Sequence, residues 1–346
     1  AARAPPVCWV AGRKILNFWG KDDAMDWLAT GFDAAQQWLF EAVVQPLLFA
    51  GGMANFLEDG YRATGWLLVG LLQLVVIVGL LVPLQRWRPV EAITDRSAVR
   101  TDIIYTLLHR LGIFRVGLFL ALDPLWDTFF GALSVGGITT FQLDSIWPGI
   151  TDIPWVSLLL YLAVFDLLDY WIHRGQHRFE WWWRLHALHH SQRQLTVWSD
   201  NRNHLLDDIL RDSIIVLVAQ LIGVAPGQFV AIVALTQLSE SFQHANLRLW
   251  FGPVGERLWI SPRFHRLHHA LYAGHALTPK TVGSSNFGVL LPWWDMLFGT
   301  ANFERRFDPT GVYDQIEPGP DGRVRDYGQG FWAQQWRGLL RLAGRA

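Results

Sequence analysis

The sequence predicts an all-α integral membrane protein, with about four transmembrane helices, a re-entrant helical hairpin and a histidine-rich cytoplasmic cap. Three observations predict it. Of 346 residues, 51% are hydrophobic and only 17% charged, against roughly 25% charged in a typical soluble protein. From Ala63 to Gln85 the chain runs 23 residues without a charge, between Arg62 and Arg86; at about 1.5 Å per residue this covers a bilayer core of ~30 Å. Ten of the twelve histidines fall between His173 and His269, where even spacing would place roughly three.

Other classes are excluded by charge and composition. A formal net charge of -1 gives no footprint for nucleic acid. A single cysteine, Cys8, allows neither a disulfide framework nor a thiolate metal site. Of 29 basic residues only Lys14, Lys21 and Lys280 are lysines, the bias of a GC-rich coding sequence, which points to a bacterial inner membrane. Residues 1–32 lack the charged start, apolar core and cleavage site of a signal peptide.

Residues 1–152 read as an N-terminal membrane segment, with spans near 38–56, 63–85 and 101–122. The first is interrupted by Glu41, Pro46 and Gly51-Gly52, and the third is closed by Asp123-Pro124. Arginines at 86, 88, 96 and 100 mark a cytoplasmic loop, and residues 128–150 a connection on the far side. A fourth span from Pro154 to Ile172 delivers the chain to His173 beside further arginines, so both termini and the histidine region lie on the cytoplasmic side. His109-Arg110 and Asp166 sit at similar depth, where a charge costs a few kcal/mol unless paired; Arg110 and Asp166 are expected to pair. The 27 uncharged residues between Asp212 and Glu240 contain Gly223-Val224-Ala225-Pro226-Gly227. Each arm is short of a comfortable crossing, so a hairpin turning at 223–227 and returning to the cytoplasm is expected. Residues 303–346 form a polar tail ending in an amphipathic segment, Phe331 to Leu342. Trp181 to Trp183 and Trp293-Trp294 are placed to anchor the cap at the membrane interface.

The histidines form four clusters: His173-Arg-Gly-Gln-His177, His186-Ala-Leu-His189-His190, Phe242-Gln-His244-Ala-Asn246 and His265-Arg-Leu-His268-His269. Spacings of three and four place imidazoles on one helix face. A lone histidine on an apolar helix is usually a satisfied core residue, but two HxxHH clusters and an HxxxH in one chain point to metal. Imidazole suits Zn, Cu, Fe and Ni, and so many imidazoles require two ions. Asp169, four residues before His173, is expected to accept the second N–H of that imidazole. Glu240 shares a face with His244, which leaves three readings, a metal ligand, a base behind the metal or a solvated group, with the second ahead.

At these residues the sequence resembles the fatty acid hydroxylase/sterol desaturase superfamily of integral-membrane di-iron enzymes. The resemblance rests on HRxxH, HxxHH, Phe-x-His-x-Asn, Ser-Pro-x-Phe-His-x-x-His-His and the ending Asn286-Phe287-Gly288 … Trp294-Asp295-Met-Leu-Phe298-Gly299-Thr300. It covers about 160–302 and implies a catalytic domain at 153–302. The implied ligands are His173, His177, His186, His189, His190, His244, His265, His268 and His269. His204, in Arg202-Asn-His204-Leu-Leu-Asp207, stands where many members have His-Pro-x-Glu and is the implied tenth, with Asn286 supporting the site. His275 and His109 fall outside the set. The implied cofactors are two iron ions, replaceable by zinc in purified protein, with O2 as co-substrate. The implied partners are a membrane lipid and a separate electron donor of ferredoxin, cytochrome or reductase type.

The implied reaction oxidises a lipid C–H bond, by hydroxylation or desaturation, and the substrate is held in a hydrophobic slot leading from the bilayer. Fatty acyl, sterol or hopanoid, carotenoid and ether lipids all remain open. A bis-histidine haem protein or a metal carrier would also place histidines in a membrane protein. Paired HxxHH clusters are wasteful for haem, and a carrier would line its spans with histidines, whereas these lie past the span ends.

Overall fold

The computed structural model describes residues 23–137, 140–271, 285–318 and 322–345. Helix α1 (Asp23–Leu39) passes through a wide π turn, Phe40–Val44, into α2 (Gln45–Ala50), and α3 (Leu57–Val76) passes through another, Ile77–Leu81, into α4 (Val82–Trp87). Each wide turn precedes a proline, Pro46 or Pro83. Proline offers no N–H to the carbonyl four residues back and its ring crowds that carbonyl. Those carbonyls, at Ala42 and Gly79, lie in the widened turns, so the helices continue instead of breaking.

There follow α5 (Arg96–Arg110), α6 (Ile113–Val135), α7 (Pro154–Arg178), α8 (Glu180–His190), α9 (Leu205–Ile222), α10 (Pro226–Gln243), α11 (Gly252–Gly255), α12 (Pro262–His268), α13 (Trp293–Leu297) and α14 (Phe331–Leu342). Among the described residues there is no strand, only a bridge between Ala270 and Thr310. The chain is all-α, as its composition and spacing predict.

Two helices are long and apolar enough to cross a membrane, Ala54–Trp87 and Pro154–Arg178. They contain the expected spans at 63–85 and 154–172. Only 22% of the apolar window of the first is buried within the chain, leaving a surface of the kind that faces lipid or a partner. The other two expected spans are corrected. The helical path near 38–56 ends at Ala50, where Gly51 and Gly52, the latter at φ +68°, turn the chain back. The segment 101–122 is cut in two by Gly112 at φ +74°, a left-handed backbone that glycine adopts without strain. Asp123-Pro124 does not close it, since α6 continues to Val135; proline is a frequent helix stop but not an obligatory one.

Between α9 and α10 the chain reverses where the sequence places the turn. Gly223, at φ +69°, ends α9, and Pro226 occupies the first turn of α10, where its missing N–H costs nothing. Tyr161, Phe165, Ala219 and Ile232 pack the hairpin against α7. The Tyr161 hydroxyl donates to the Ile222 carbonyl at 3.1 Å.

The expected Arg110–Asp166 pair does not form. Gly112 ends α5 beside the loop before α9, so Arg110 donates to Asp200 Oδ2 at 3.1 Å, to Ser241 Oγ at 2.9 Å and to the Gln237 carbonyl at 2.9 Å. Asp166 faces the opposite way and accepts from the N–H groups of Leu290 and Leu291, at 2.7 and 3.1 Å, and from Trp294 Nε1 at 2.9 Å. Of the five tryptophans expected at an interface, Trp181 and Trp293 are exposed, whereas Trp182 and Trp183 are buried core.

Candidate metal centre

Nine of the ten histidines singled out in the sequence converge. One group contains His173 and His177 of α7, His186 and His190 of α8, and His268 of α12. The other contains His189 of α8, His244 just past α10, and His265 and His269 around α12. Within each group one ring nitrogen from every histidine lies within 4.8 Å of those of the others, and all nine residues are buried. In the second group His244 Nε2 lies 3.1 Å from His189 Nε2 and 3.0 Å from His265 Nε2, and His269 Nε2 lies 3.1 Å from His265 Nε2.

The tautomers of four rings follow from their partners. His173 Nδ1 lies 2.8 Å from the Phe287 carbonyl, His268 Nδ1 2.8 Å from the Ser285 carbonyl and His244 Nδ1 2.7 Å from the Glu240 carbonyl. His186 Nδ1 lies 3.0 Å from Asp207 Oδ2. Carbonyls and carboxylates only accept, so Nδ1 carries the proton in each ring and Nε2 keeps its lone pair. Metal-bound imidazoles are held in this way.

Burial, reinforced by neighbouring imidazoles, pushes His189, His190, His265 and His269 well below the usual histidine range, and burial brings His268 down to about 3. These five rings are therefore neutral at ordinary pH. His186 Nε2, His190 Nε2 and the Nδ1 atoms of His189, His265 and His269 are buried without a hydrogen-bond partner among the described residues. So many orphaned buried nitrogens are unusual for a finished core. A donor set of neutral imidazoles with lone pairs turned inward fits metal ions of the imidazole-binding kind.

The backbone of 285–291 holds two of these rings. Asn286 adopts a left-handed φ of +63°, so the carbonyls on either side of it reach His268 and His173. Its side chain donates to the carbonyls of Phe264 and Asn302, at 2.8 and 3.0 Å, and accepts from the Asn302 N–H at 2.6 Å. Asp295 accepts from the N–H groups of Phe287 and Gly288, at 2.8 and 2.7 Å, and Asp166 takes those of Leu290 and Leu291 as described. A Cβ on Gly288 would meet the Leu291 carbonyl at 2.8 Å and Asp295 Oδ2 at 2.9 Å. The Asn-Phe-Gly and Trp-Asp residues of the sequence signature thus form a clamp on the imidazoles.

Several expectations are corrected. Asp169 does not contact His173; it accepts from Arg211 Nε and a terminal Arg211 nitrogen at 3.2 and 3.0 Å, while a backbone carbonyl orients His173. Glu240 reaches His244 only through its carbonyl, and its carboxylate lies 3.9 Å from Arg211. His204 stands apart from both groups. It caps α9, its Nδ1 accepting from the Leu206 N–H at 3.2 Å, and its Nε2 lies 3.0 Å from the Gln335 carbonyl of α14. His109 lies 3.3 Å from Asp208, and His275 lies outside the described residues.

The carboxylate that serves an imidazole is Asp207, which sequence reasoning missed. Its Oδ1 accepts from Gln176 Nε2 and Trp182 Nε1, at 2.8 and 2.7 Å, leaving Oδ2 for His186. The signal lay three residues after His204, at the acid of the His-Pro-x-Glu comparison. It was masked because acids in a first helical turn are ordinary.

A cleft of about 860 Å3, counting its open mouth, reaches the histidines between α7, α9 and α10. This cleft is not the expected hydrophobic slot. Among the described residues the only aliphatic side chains lining this cleft are Ile172 and Val289; the remainder are charged groups, amides and imidazoles.

A family model for fatty acid hydroxylase matches residues 158–300. The chain is 29% identical to the ornithine lipid hydroxylase of Rhizobium tropici over 271 residues, 78% of this chain and 74% of that protein. It is 26% identical to an alkylglycerol monooxygenase of Caenorhabditis elegans over 180 residues, and 27% identical to that of Danio rerio over 149. These matches cover 50% and 43% of this chain but only 33% and 31% of those longer proteins. No solved structure matches. The two imidazole groups and the clamp that orients them fall almost wholly within the segment that matches the fatty acid hydroxylase model, and the model and the relatives together support the fatty acid hydroxylase/sterol desaturase superfamily.

Proposed function

We propose that the chain is a membrane-bound, iron-dependent hydroxylase of a polar lipid, with one iron ion in each imidazole group. The observation that carries this reading is the convergence of nine buried imidazoles in two groups, four of them with the proton fixed on Nδ1. The reaction is R–H + O2 + two electrons + two protons giving R–OH + water, with the electrons from a separate donor of ferredoxin, cytochrome or reductase class. Iron supplies the means of binding and reducing dioxygen that no amino-acid side chain has. Hydroxylation is preferred to desaturation because the relatives are named hydroxylases and monooxygenases.

The chain itself supplies position. Asp207 and the carbonyls of Ser285, Phe287 and Glu240 hold rings in the ligating tautomer, the 285–291 clamp fixes their direction, and the cleft brings the lipid alongside. In this reading 153–302 is the catalytic unit, 1–152 the membrane segment and 303–346 a cytoplasmic tail. The site faces the cytoplasm of a bacterial inner membrane, and the α9–α10 hairpin enters the bilayer without crossing it. The test is elemental analysis of fresh protein together with oxidation of membrane lipid under 18O2. Two irons per chain and one 18O per product molecule are expected. One ion or none in fully active protein, or product oxygen drawn from water, would sink the reading.

A further inference from the structure

Helix α14 is packed the wrong way round for a helix bathed in water. A surface helix of a soluble protein buries its apolar stripe and shows its polar one. In α14 the residues turned inward are Gln334, Gln335, Gly338 and Arg341, whereas Trp332, Trp336 and Leu339 are 79%, 60% and 39% exposed. Steps of four and three place these three on one stripe. The inward face is a built joint. The Gln335 carbonyl lies 3.0 Å from His204 Nε2, and its side-chain oxygen accepts from the Leu205 N–H at 2.9 Å. Its amide nitrogen donates to the Tyr105 hydroxyl and the Asn203 carbonyl, at 2.9 and 3.0 Å. Arg341 donates to the Arg184 carbonyl at 3.2 Å and lies over the Tyr327 ring. A Cβ at Gly338 would fall 2.2 Å from His204 Cδ2, so the contact is close. The helix cannot roll to hide its tryptophans without giving up these bonds.

The surroundings of α14 decide what covers the stripe. The joint with His204, Leu205 and Tyr105 sets the helix across the start of α9, an arm without a charged residue after Asp212, and beside Ile104 and Leu107, which are exposed on α5. Its other end reaches Arg184 of α8, three residues beyond Trp181 and five beyond Phe179. Those two aromatics are exposed where the helix Pro154–Arg178, long and apolar enough to span a membrane, comes to its end. The stripe is thus level with the end of a span and flanked by apolar side chains. Of the two charged residues in α14, Arg341 is buried and Arg337 is paired with Asp326 at 3.0 Å. Indole rings, apolar in body with one N–H donor, settle at that level of a bilayer.

We propose that α14 is an in-plane membrane helix, its Trp332–Trp336–Leu339 stripe seated in the lipid surface on the side where α7 ends. A helix of this kind lies ~5–10 Å into the boundary between headgroups and acyl chains. The inference goes beyond the hydroxylase reading and needs only that α3 and α7 cross the membrane.

The test places a nitroxide on single cysteines of the full chain, Cys8 having been replaced, in vesicles of phosphatidylethanolamine and phosphatidylglycerol. The sites are Trp332→Cys and Trp336→Cys on the stripe, Val75→Cys on the exposed side of the first span, and Arg306→Cys on an exposed charged segment. All four positions are exposed, so each variant is expected to keep the parent's melting temperature. Collision rates with O2, which concentrates in lipid, and with a water-soluble nickel chelate give the depth of each label. Both stripe labels should meet the chelate several-fold less often than the label at 306, and O2 more often. Chelate collisions at 332 and 336 equal to those at 306, with position 75 in lipid, would overturn the inference and leave the membrane reading standing. Labels shielded from both reagents, as under a covering protein segment, would also overturn it, as would dipolar broadening between the labels of two copies. A label at 75 in water would remove the membrane reading itself, and the inference with it.

Discussion

Asp207 Oδ2 lies 3.0 Å from His186 Nδ1, and the other oxygen of the same carboxylate is held by Gln176 and Trp182. The carboxylate cannot turn away without breaking two further hydrogen bonds. Asp207→Asn can present an N–H where the imidazole needs an acceptor. Metal affinity should fall roughly 10–100-fold, the usual cost of losing such a partner. Competition with a chromophoric chelator measures it; unchanged affinity would show that His186 needs no orienting group.

His204 and His189 should separate cleanly. His189→Ala and His268→Ala each remove a member of an imidazole group and should lose metal and activity together. His204→Ala should keep full metal content but lower stability by about 1 kcal/mol, the typical worth of an N-cap. Elemental analysis beside a thermal melt distinguishes the cases, and metal loss in the His204 variant would return it to the ligand set.

Gly70 permits α3 and α5 to touch. A Cβ at this position would lie 1.6 Å from the Arg110 carbonyl, so backbone must move. Gly70→Ala should therefore destabilise by several kcal/mol, in the range of severe overpacking. Detergent-solubilised protein should melt markedly lower, whereas Gly79→Ala, with no atom within 4 Å of its new Cβ, should not.

Acid should weaken the metal-free protein. Burial depresses the folded-state values of His189, His190, His265, His268 and His269 below the ordinary 6.5. Below that value the unfolded chain takes up protons that the folded chain refuses, so stability is full above it and is lost as pH falls towards the depressed values. Melting temperatures of metal-free protein should decline steadily from about pH 7 to pH 5. A flat profile would mean that the rings protonate in place.

The hairpin can be located by labelling. After replacement of the single native cysteine, Ala225→Cys should resist a membrane-impermeant thiol reagent applied from outside, and Arg248→Cys should react only from the cytoplasmic side. Reaction of position 248 from outside would invert the proposed topology.

What the sequence made legible was periodic or repeated. Histidines at three and four residue intervals announced their shared faces, and Gly223 with Pro226 announced a reversal, because these rules act within one or two helical turns. Pairings between distant segments were not legible. Asp169 and Asp166 lie on the expected helix, yet their partners, Arg211 and the backbone at 290–291, depend on how helices rotate against each other. The break at Gly112 was hidden in an apolar run, since hydropathy counts side chains and does not see a left-handed backbone angle. Asp207 was masked by its ordinary place in a first helical turn.

The division of imidazoles among α7, α8 and α12 has a consequence for biosynthesis. Both groups include residues from 265–269, and the carbonyls that orient two of the rings come from 285 and 287. Neither cage exists while the ribosome is still making the hairpin. The early histidines must therefore wait unliganded, and metal can be captured only after residues 265–287 have folded back onto them. Metal supply acts on a finished scaffold and not on the growing chain.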